Sequence, residues 1–432
     1  MLFVIFFGLV FFFPSPAWAY LDPGTGNMLV YILISLVGVA AYFIKNIFYK
    51  SLRILKISKS RPEATGFDDT LVIFSEGKIY WNTFKPIIEA LLELKQPVSY
   101  LSMDIEDPGL TIENPHLDNR YIGEGSAAFA RACQSRAKIM LATTPNIGTP
   151  GYPMPLPRHV ENLVHVFHGV GDVGSYRKFA LDNYQTVLTM GDFMLESIRS
   201  LEKKRDLPAK TCIKAGLPYL DDMLKKVKRK SGLSESPVIL LAPSWGEKNF
   251  IARYGLEPLE SLAREAYTLI LRPHPYSKIA EPEIMEEAAA KLSIYPNVSF
   301  DFDPDASSSF SRADLMISDL SGVRYDFALL YQRPVITISM PLQDDDLYDL
   351  SDLDHVWELD TAEELGPVLN PENMAELGEQ VKRALGTNPE DLTAFRERYL
   401  ANYGCAGLFI AKWLINECAR LKGLEPSLET EE

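Results

Sequence analysis

The stretch ADLMISDLSGVRYDFALLYQRPVITIS, Ala313 to Ser339, decides how the rest of the chain is read. Its first apolar run ends at Ile317, and GVRYDFALLY then places apolar residues at helical spacing before RPVITIS resumes as a strand. An unbroken apolar strand, a helix and a second such strand make a parallel crossover unit, in which both faces of the sheet are covered. Ser321 and Gly322 fall where the helix begins. Free backbone N–H groups and the helix dipole at such a start favour an anion such as phosphate. Ser321 adds a hydroxyl donor, and Gly322 lets the backbone approach a ligand closely. An ordinary N-cap serine is the plainer reading of Ser321 taken alone. Asp319 is open to two readings: a carboxylate beside a phosphate repels it, so an anchoring role stands beside a binding one.

The same pattern extends outward. LVIFSEG, PVSYLS, KIMLATTP, NLVHVFHG and QTVLTMGD read as strands of a first unit; PVILLAPSWG, YTLILRPHP, NVSFDFD, ADLMISDLSG and RPVITIS read as strands of a second. Helix-length amphipathic stretches separate them. The fold class is therefore α/β, with two Rossmann-like, doubly wound lobes facing a cleft and joined near KRDLPAKTCIKAGLPYLDD. The expected divisions are 67–205 for the first lobe, 206–386 for the second and 387–432 for C-terminal helices with an acidic tail.

In open α/β sheets ligands gather at the carboxyl ends of strands. Polar residues collect at those ends here. His168-Gly169 follows NLVHVF, Ser244-Trp245 follows VILLAP, Arg272 and His274 follow TLIL, and Asp319 to Gly322 follow ADLMIS. Arg272 and His274 each precede a proline, which biases both backbones towards one extended conformation. Two cation-capable groups on a stiff strand end suggest an anion site; a rigid strand-to-loop exit with an exposed Arg and His is the plainer alternative. His168 emerges into a loop with Gly169, Gly171 and Gly174, and its ordinary pKa suits it to take a proton from a hydroxyl. His165, on the same strand, reads as a core or lining residue. The loop lacks the G-x-G-x-x-G spacing of a dinucleotide site.

Composition narrows the partners. The chain has 432 residues, 47% of them hydrophobic and 23% charged, which suits a globular protein of about two domains. A net charge of −15 without a basic stripe excludes nucleic acid as a natural partner. Cys133, Cys212, Cys405 and Cys418 lie far apart, a pattern that suits a reducing compartment and supports no zinc site.

The N-terminus reads differently. Met1 to Phe13 is almost wholly apolar and leads into PSPAWA, so residues 1–19 are a signal peptide or a first transmembrane segment. Met28 to Ile44 is long enough to cross a bilayer, and the basic juxtamembrane segment 45–66 carries Lys45, Lys50, Arg53, Lys56, Lys59 and Arg61. Basic residues after a span mark its cytoplasmic end. The expectation is a plasma (inner) membrane protein whose lobes face the cytoplasm, with the basic segment against the cytoplasmic leaflet.

The ordered set of HG at 168–169, LAPSW, LRPHP and ISDLSGVRYDFALLYQRPVI resembles the CDP-glycerol glycerophosphotransferase family, the teichoic acid primases and polymerases of the GT-B fold. The resemblance covers about Leu163 to Ile338, and RERYLANYGCAGLFIAKWLI resembles the family's C-terminal helices more weakly. It implies transfer of glycerol phosphate from a CDP-activated donor to a hydroxyl of a cell-envelope glycan or lipid-linked acceptor, releasing CMP. By the same resemblance His168 is the base, His274 contacts the pyrophosphate, and Ser321 with neighbouring amides holds phosphate. The first lobe would take the acceptor and the second the CDP donor, with Gly169, Ser244, Trp245, Arg272, Asp319, Ser321 and Gly322 on the binding side. The chain departs from the family at Val170-Gly171-Asp172, where threonine, proline and lysine are usual, and at Gly246-Glu247-Lys248 and Ser321-Gly322. These departures mark a divergent branch. No acidic pair has metal-ligand spacing, so no metal or other cofactor is expected. A GT-B sugar-nucleotide glycosyltransferase or epimerase, and a non-catalytic envelope-assembly scaffold, are the alternative readings.

Overall fold

The computed structural model describes residues 70–228, 232–246, 249–303, 305–340, 348–387, 389–426 and 428–429. They belong to one compact unit, Gly66–Glu432. The expected segments at 1–19, 28–44 and 45–66 lie outside the described residues. Among the described residues no helix is long and apolar enough to cross a membrane.

Two wholly parallel sheets form. The first, in spatial order β3-β2-β1-β4-β5-β6-β7, comprises β1 (Leu71–Ser75), β2 (Val98–Ser102), β3 (Leu117–Tyr121), β4 (Ala137–Ala142), β5 (Val160–Val166), β6 (Thr186–Thr189) and β7 (Thr211–Lys214). The second, in order β10-β9-β8-β11-β12-β13, comprises β8 (Val238–Ala242), β9 (Thr268–Leu271), β10 (Val298–Phe300), β11 (Leu315–Ser318), β12 (Val335–Ile338) and β13 (Val368–Leu369). Each strand run expected from sequence is present. β3, β7 and β13 were not expected, and all three lie at sheet edges. An edge strand has one neighbour and half its surface in water, so it lacks the continuous apolar run that reveals a central one. β7 also corrects the lobe division: the first sheet continues past residue 205 to Lys214.

Strand periodicity sorts the core. Leu71 and Ile73 turn to one face, where Phe84, Ile87 and Leu91 of the helix Trp81–Glu93 meet Ile410 and Leu414 of the last helix, Ala406–Leu421. Val72 and Phe74 turn the other way, into a cluster shared with Leu240, Met316 and Tyr325 of the second lobe. Each such side chain contributes about 1.5–3 kcal/mol when fully buried. The last helix thus crosses back from the second lobe to cover the first. Asp221 holds its start, accepting from the N–H groups of Ala406 and Gly407 at 3.2 and 2.8 Å. Gly407 is needed for the crossing, because a Cβ there would lie 2.6 Å from Cβ of Pro86.

The lobes are also clasped at the loop after β5. Arg177 bridges Tyr348, the Asp349 N–H donates to the Tyr176 carbonyl at 2.9 Å, and the Asp172 N–H donates to Glu358 Oε1 at 2.8 Å. Arg205 reaches Asp352 at 2.7 Å and also pairs with Asp349. The chain immediately following His168 is therefore fixed against the second lobe.

Candidate functional site

Each sheet has one place where strand order reverses direction, and crevices for ligands form at such switch points. In the first sheet it lies between β1 and β4, in the second between β8 and β11. Because every ladder is parallel, Ser244, Trp245, Arg272, His274 and Asp319 to Gly322 all leave the same edge of the second sheet.

Asp319 is fully buried and committed to the protein. Its carboxylate accepts from the Ser244 N–H at 2.9 and 3.1 Å, from the Ser244 hydroxyl, and from the Phe250 N–H at 3.2 Å. Burial pushes its carboxyl up to about 6, against the lowering effect of those hydrogen bonds. The structure gives Asp319 the anchoring role: it ties the Ser244 loop across the switch point. Glu281 holds the same loop from its far side, accepting from Gly246 N–H at 3.1 Å and Asn249 Nδ2 at 2.8 Å.

Trp245, held by this loop, leaves 45% of its surface exposed. Its ring lies 6.1 Å from that of His274 and 4.8 Å from that of Tyr276. His274 Nδ1 accepts from the Tyr276 N–H at 3.1 Å, so in the neutral ring the proton sits on Nε2, which can donate to a ligand. Desolvation lowers the His274 pKa, with Glu281 opposing. Arg272 is largely buried and pairs through Nη1 with Asp301 Oδ2 at 2.6 Å. One edge of its guanidinium is thus engaged in holding the loop after β10.

The helix Val323–Tyr331 starts at Gly322, as its sequence requires, with Ser321 partly and Gly322 well exposed. Beneath this start lies Arg324, fully buried. It donates to the Ser321 carbonyl at 3.1 Å, Thr337 Oγ1 at 2.9 Å and the Glu358 carbonyl at 3.4 Å. A guanidinium here adds full positive charge under the partial charge of the helix terminus. Asp326 points elsewhere, accepting from the Tyr219 hydroxyl.

In the first lobe His168 stands just beyond β5, exposed on one side and edge-on to Tyr80, with ring centroids 5.0 Å apart. Tyr176 stacks at 6.5 Å. Surrounding protein desolvates the ring enough to lower its pKa. His165 is fully buried, with Nε2 3.1 Å from the Tyr176 hydroxyl and Nδ1 without a hydrogen-bond partner among the described residues, in keeping with a core or lining role.

The His168 loop and the helix start meet: a Cβ on Gly322 would lie 3.6 Å from the Val170 carbonyl oxygen. His168-Gly169 and Ser321-Gly322, far apart in sequence, thus flank one junction between the lobes. Two residues at this site escaped the sequence reading. Arg324 looked like one more helical residue, although its apolar neighbours Val323 and Tyr325 hinted at burial; Glu76, beyond β1, occupies a strand end like those that were noted. Among the described residues no group of three or more His, Cys, Asp or Glu could hold a metal ion. None of the four cysteines is in a disulfide.

Residues 192–402 match the family model described as CDP-Glycerol:Poly(glycerophosphate) glycerophosphotransferase. Over these residues, just under half of its length, the chain is similar to that family. The match takes in Ser244, Trp245, Arg272, His274 and Asp319 to Gly322, and begins after His168. A teichoic acid poly(glycerol phosphate) polymerase of Bacillus spizizenii is 29% identical over 146 residues. The matched stretch is about a third of that relative's length. Among solved structures, a putative UDP-N-acetylglucosamine 2-epimerase from Listeria monocytogenes aligns with a TM-score of 0.53 at 14% identity, over 83% of this chain and 100% of its own. The wall teichoic acid polymerase TagF aligns over 90% of this chain and 98% of its own at 17% identity, with a TM-score of 0.49. The epimerase likeness establishes the GT-B-like fold of two facing α/β lobes.

Proposed function

We propose that this protein transfers glycerol phosphate, or a similar alcohol phosphate, from a CDP-activated donor to a hydroxyl of a cell-envelope glycan or lipid-linked acceptor. One observation carries the reading: the His168 loop of the first lobe lies against the helix start at Ser321-Gly322 of the second, with a Cβ on Gly322 falling 3.6 Å from the Val170 carbonyl oxygen. In this reading the acceptor oxygen attacks the distal phosphorus of the donor and its proton passes to His168 Nε2 or Nδ1. A new P–O bond forms, the bond to the bridging oxygen breaks, and CMP leaves with that oxygen. His274, Arg272, the Ser321 hydroxyl and the amides at Gly322 and Val323 carry the diphosphate charge, with Arg324 beneath them. Such fixed donors are the main contribution expected in phosphoryl transfer, and they let the reaction run without a divalent ion. Trp245 offers an exposed ring on which a cytosine can stack.

The apolar run Met28 to Ile44 and the basic residues after it would hold the catalytic unit at the cytoplasmic face, close to a lipid-linked acceptor. The test is incubation with CDP-glycerol and, separately, UDP-N-acetylglucosamine, in buffer containing a chelator. CMP release from the first alone supports the reading. Turnover of the second alone assigns the cleft to a sugar nucleotide, and turnover of neither leaves a binding scaffold.

A further inference from the structure

The first lobe's switch point is chemically unlike the second's. Glu76 follows β1 directly, and its carboxylate is partly open to solvent. Its hydrogen-bonding partner among the described residues is the Tyr152 hydroxyl at 3.5 Å, a loose contact for a group able to accept about four hydrogen bonds. Tyr80 neighbours both this carboxylate and His168: burial and then the charge of Glu76 raise its pKa, and its ring meets the His168 ring at 5.0 Å. Across the switch, Phe74 pairs with Ala142, so continuing the register sets Thr143 and Thr144 alongside Ser75 and Glu76. Both threonine hydroxyls are fully buried and have no hydrogen-bond partner among the described residues. Orphaned polar groups of this kind are rare in finished structures and mark places where water or ligand completes the bonding. Among the described residues Glu76 has no salt bridge within 4 Å. Lys78, the nearest basic residue along the chain, is turned to Glu106 at 2.6 Å, and Asp104 receives the Lys78 N–H.

We infer that Glu76, with Tyr80 and Tyr152, forms the acceptor subsite beside His168, and that it selects an uncharged polyol end and rejects one that carries phosphate. The inference rests on the transferase reading above and adds the chemical class of the acceptor. A neutral vicinal diol offers two hydroxyls. Glu76 accepts from one and thereby orients the other towards His168, while the tyrosine rings cover the carbon skeleton. A phosphate monoester at the same position would meet a carboxylate that is partly dehydrated and, among the described residues, not paired with a cation, so like charges would repel. Glu76 is a specificity residue in this account, since the proton of the reacting hydroxyl goes to His168.

The test uses the full-length protein and its Glu76→Gln variant, which keeps size and the Tyr152 contact but removes the charge. Saturation-transfer NMR on glycerol, without donor, reads the subsite directly. The wild type should give a signal that glycerol 3-phosphate does not, and the variant should lose most of it. In transfer from CDP-glycerol to glycerol, the variant should raise the acceptor KM by roughly 10-fold or more, the loss typical of a charge-assisted hydrogen bond. Its kcat should stay within about 3-fold, and CDP-glycerol affinity by calorimetry should be unchanged. Equal glycerol signals in both proteins, or no signal in the wild type, overturn the inference whether or not turnover occurs. Absence of CMP release from the wild type instead counts against the transferase reading.

Discussion

The two switch points share one topology and carry opposite chemistry. At β8 and β11, and at β9 beside them, the strand ends lead to a helix start, two arginines and a histidine whose Nε2 can donate. Between β1 and β4 they lead to a carboxylate, a cluster of tyrosines and two threonines whose hydroxyls have no hydrogen-bond partner among the described residues. The doubly wound sheet supplies only the crevice; the few residues just past each strand decide what enters it. A cationic crevice suits a diphosphate, and an acidic, aromatic one suits a neutral polyol. The family match, which starts at residue 192, covers the cationic side only.

Removing one histidine from each side should separate their roles most sharply. His168→Ala is expected to lower the single-turnover rate by about 10²–10⁴-fold, the usual contribution of a general base. Calorimetric affinity for CDP-glycerol should remain as in the wild type, because the acceptor proton and not the diphosphate meets this ring. His274→Ala should weaken donor binding as well as slow transfer, since Nε2–H would contact the diphosphate before and during reaction. Loss of donor affinity in His168→Ala with an intact chemical rate would reverse the assignment.

Most of the cationic side was legible in the sequence, and most of the acidic side was not. The second lobe advertises itself because its site residues come in compact runs, LRPHP and SDLSGVR, where proline or glycine punctuates an apolar strand. Asp319 stayed undecided because a carboxylate near phosphate is either an error or an anchor, and only its contacts with Ser244 and Phe250 separate the two. Glu76 went unread although it ends a strand in the same way as His168. A lone glutamate before Gly77 looks like any solvated strand exit, and its significance comes from Tyr80 and Tyr152, the latter far along the chain. The clasp between loops 172–179 and 348–358 was invisible for the same reason: it pairs residues that carry no local motif.

Arg324 gives the comparison its second test. If its charge supports the anion at Ser321, Arg324→Met should weaken CMP binding by about 1.5–3 kcal/mol, which is roughly 10–150-fold, as for hydrogen bonds to charged groups. Cytidine, which has the same base and sugar without phosphate, should bind both proteins alike. Thermal unfolding of the unliganded variant checks that the helix start survives losing its bonds to Thr337 and the Glu358 carbonyl. Parallel losses for CMP and cytidine would reduce Arg324 to a structural support.

The smallest effect is the most specific to the pairing of unlike sites. Desolvation lowers the pKa of both His168 and His274, so each is neutral at pH 7 and gains its proton only below the ordinary value of about 6.5. The consequences have opposite sign. His168 must be neutral to accept a proton, so the transfer rate should be flat from pH 8 to about 6.5 and fall as acid titrates the ring. His274 becomes a cation beside the diphosphate, so donor affinity should tighten over the same range. The donor's diphosphate is a diester on both sides and does not titrate there, which leaves the protein as the source of the change. Calorimetry and single-turnover rates at matched pH values between about 5 and 8 read the two curves. His274→Gln should flatten the affinity curve and leave the acid limb of the rate in place. If rate and affinity instead fall together with pH, both histidines answer to one site, and the division into a donor crevice and an acceptor crevice fails.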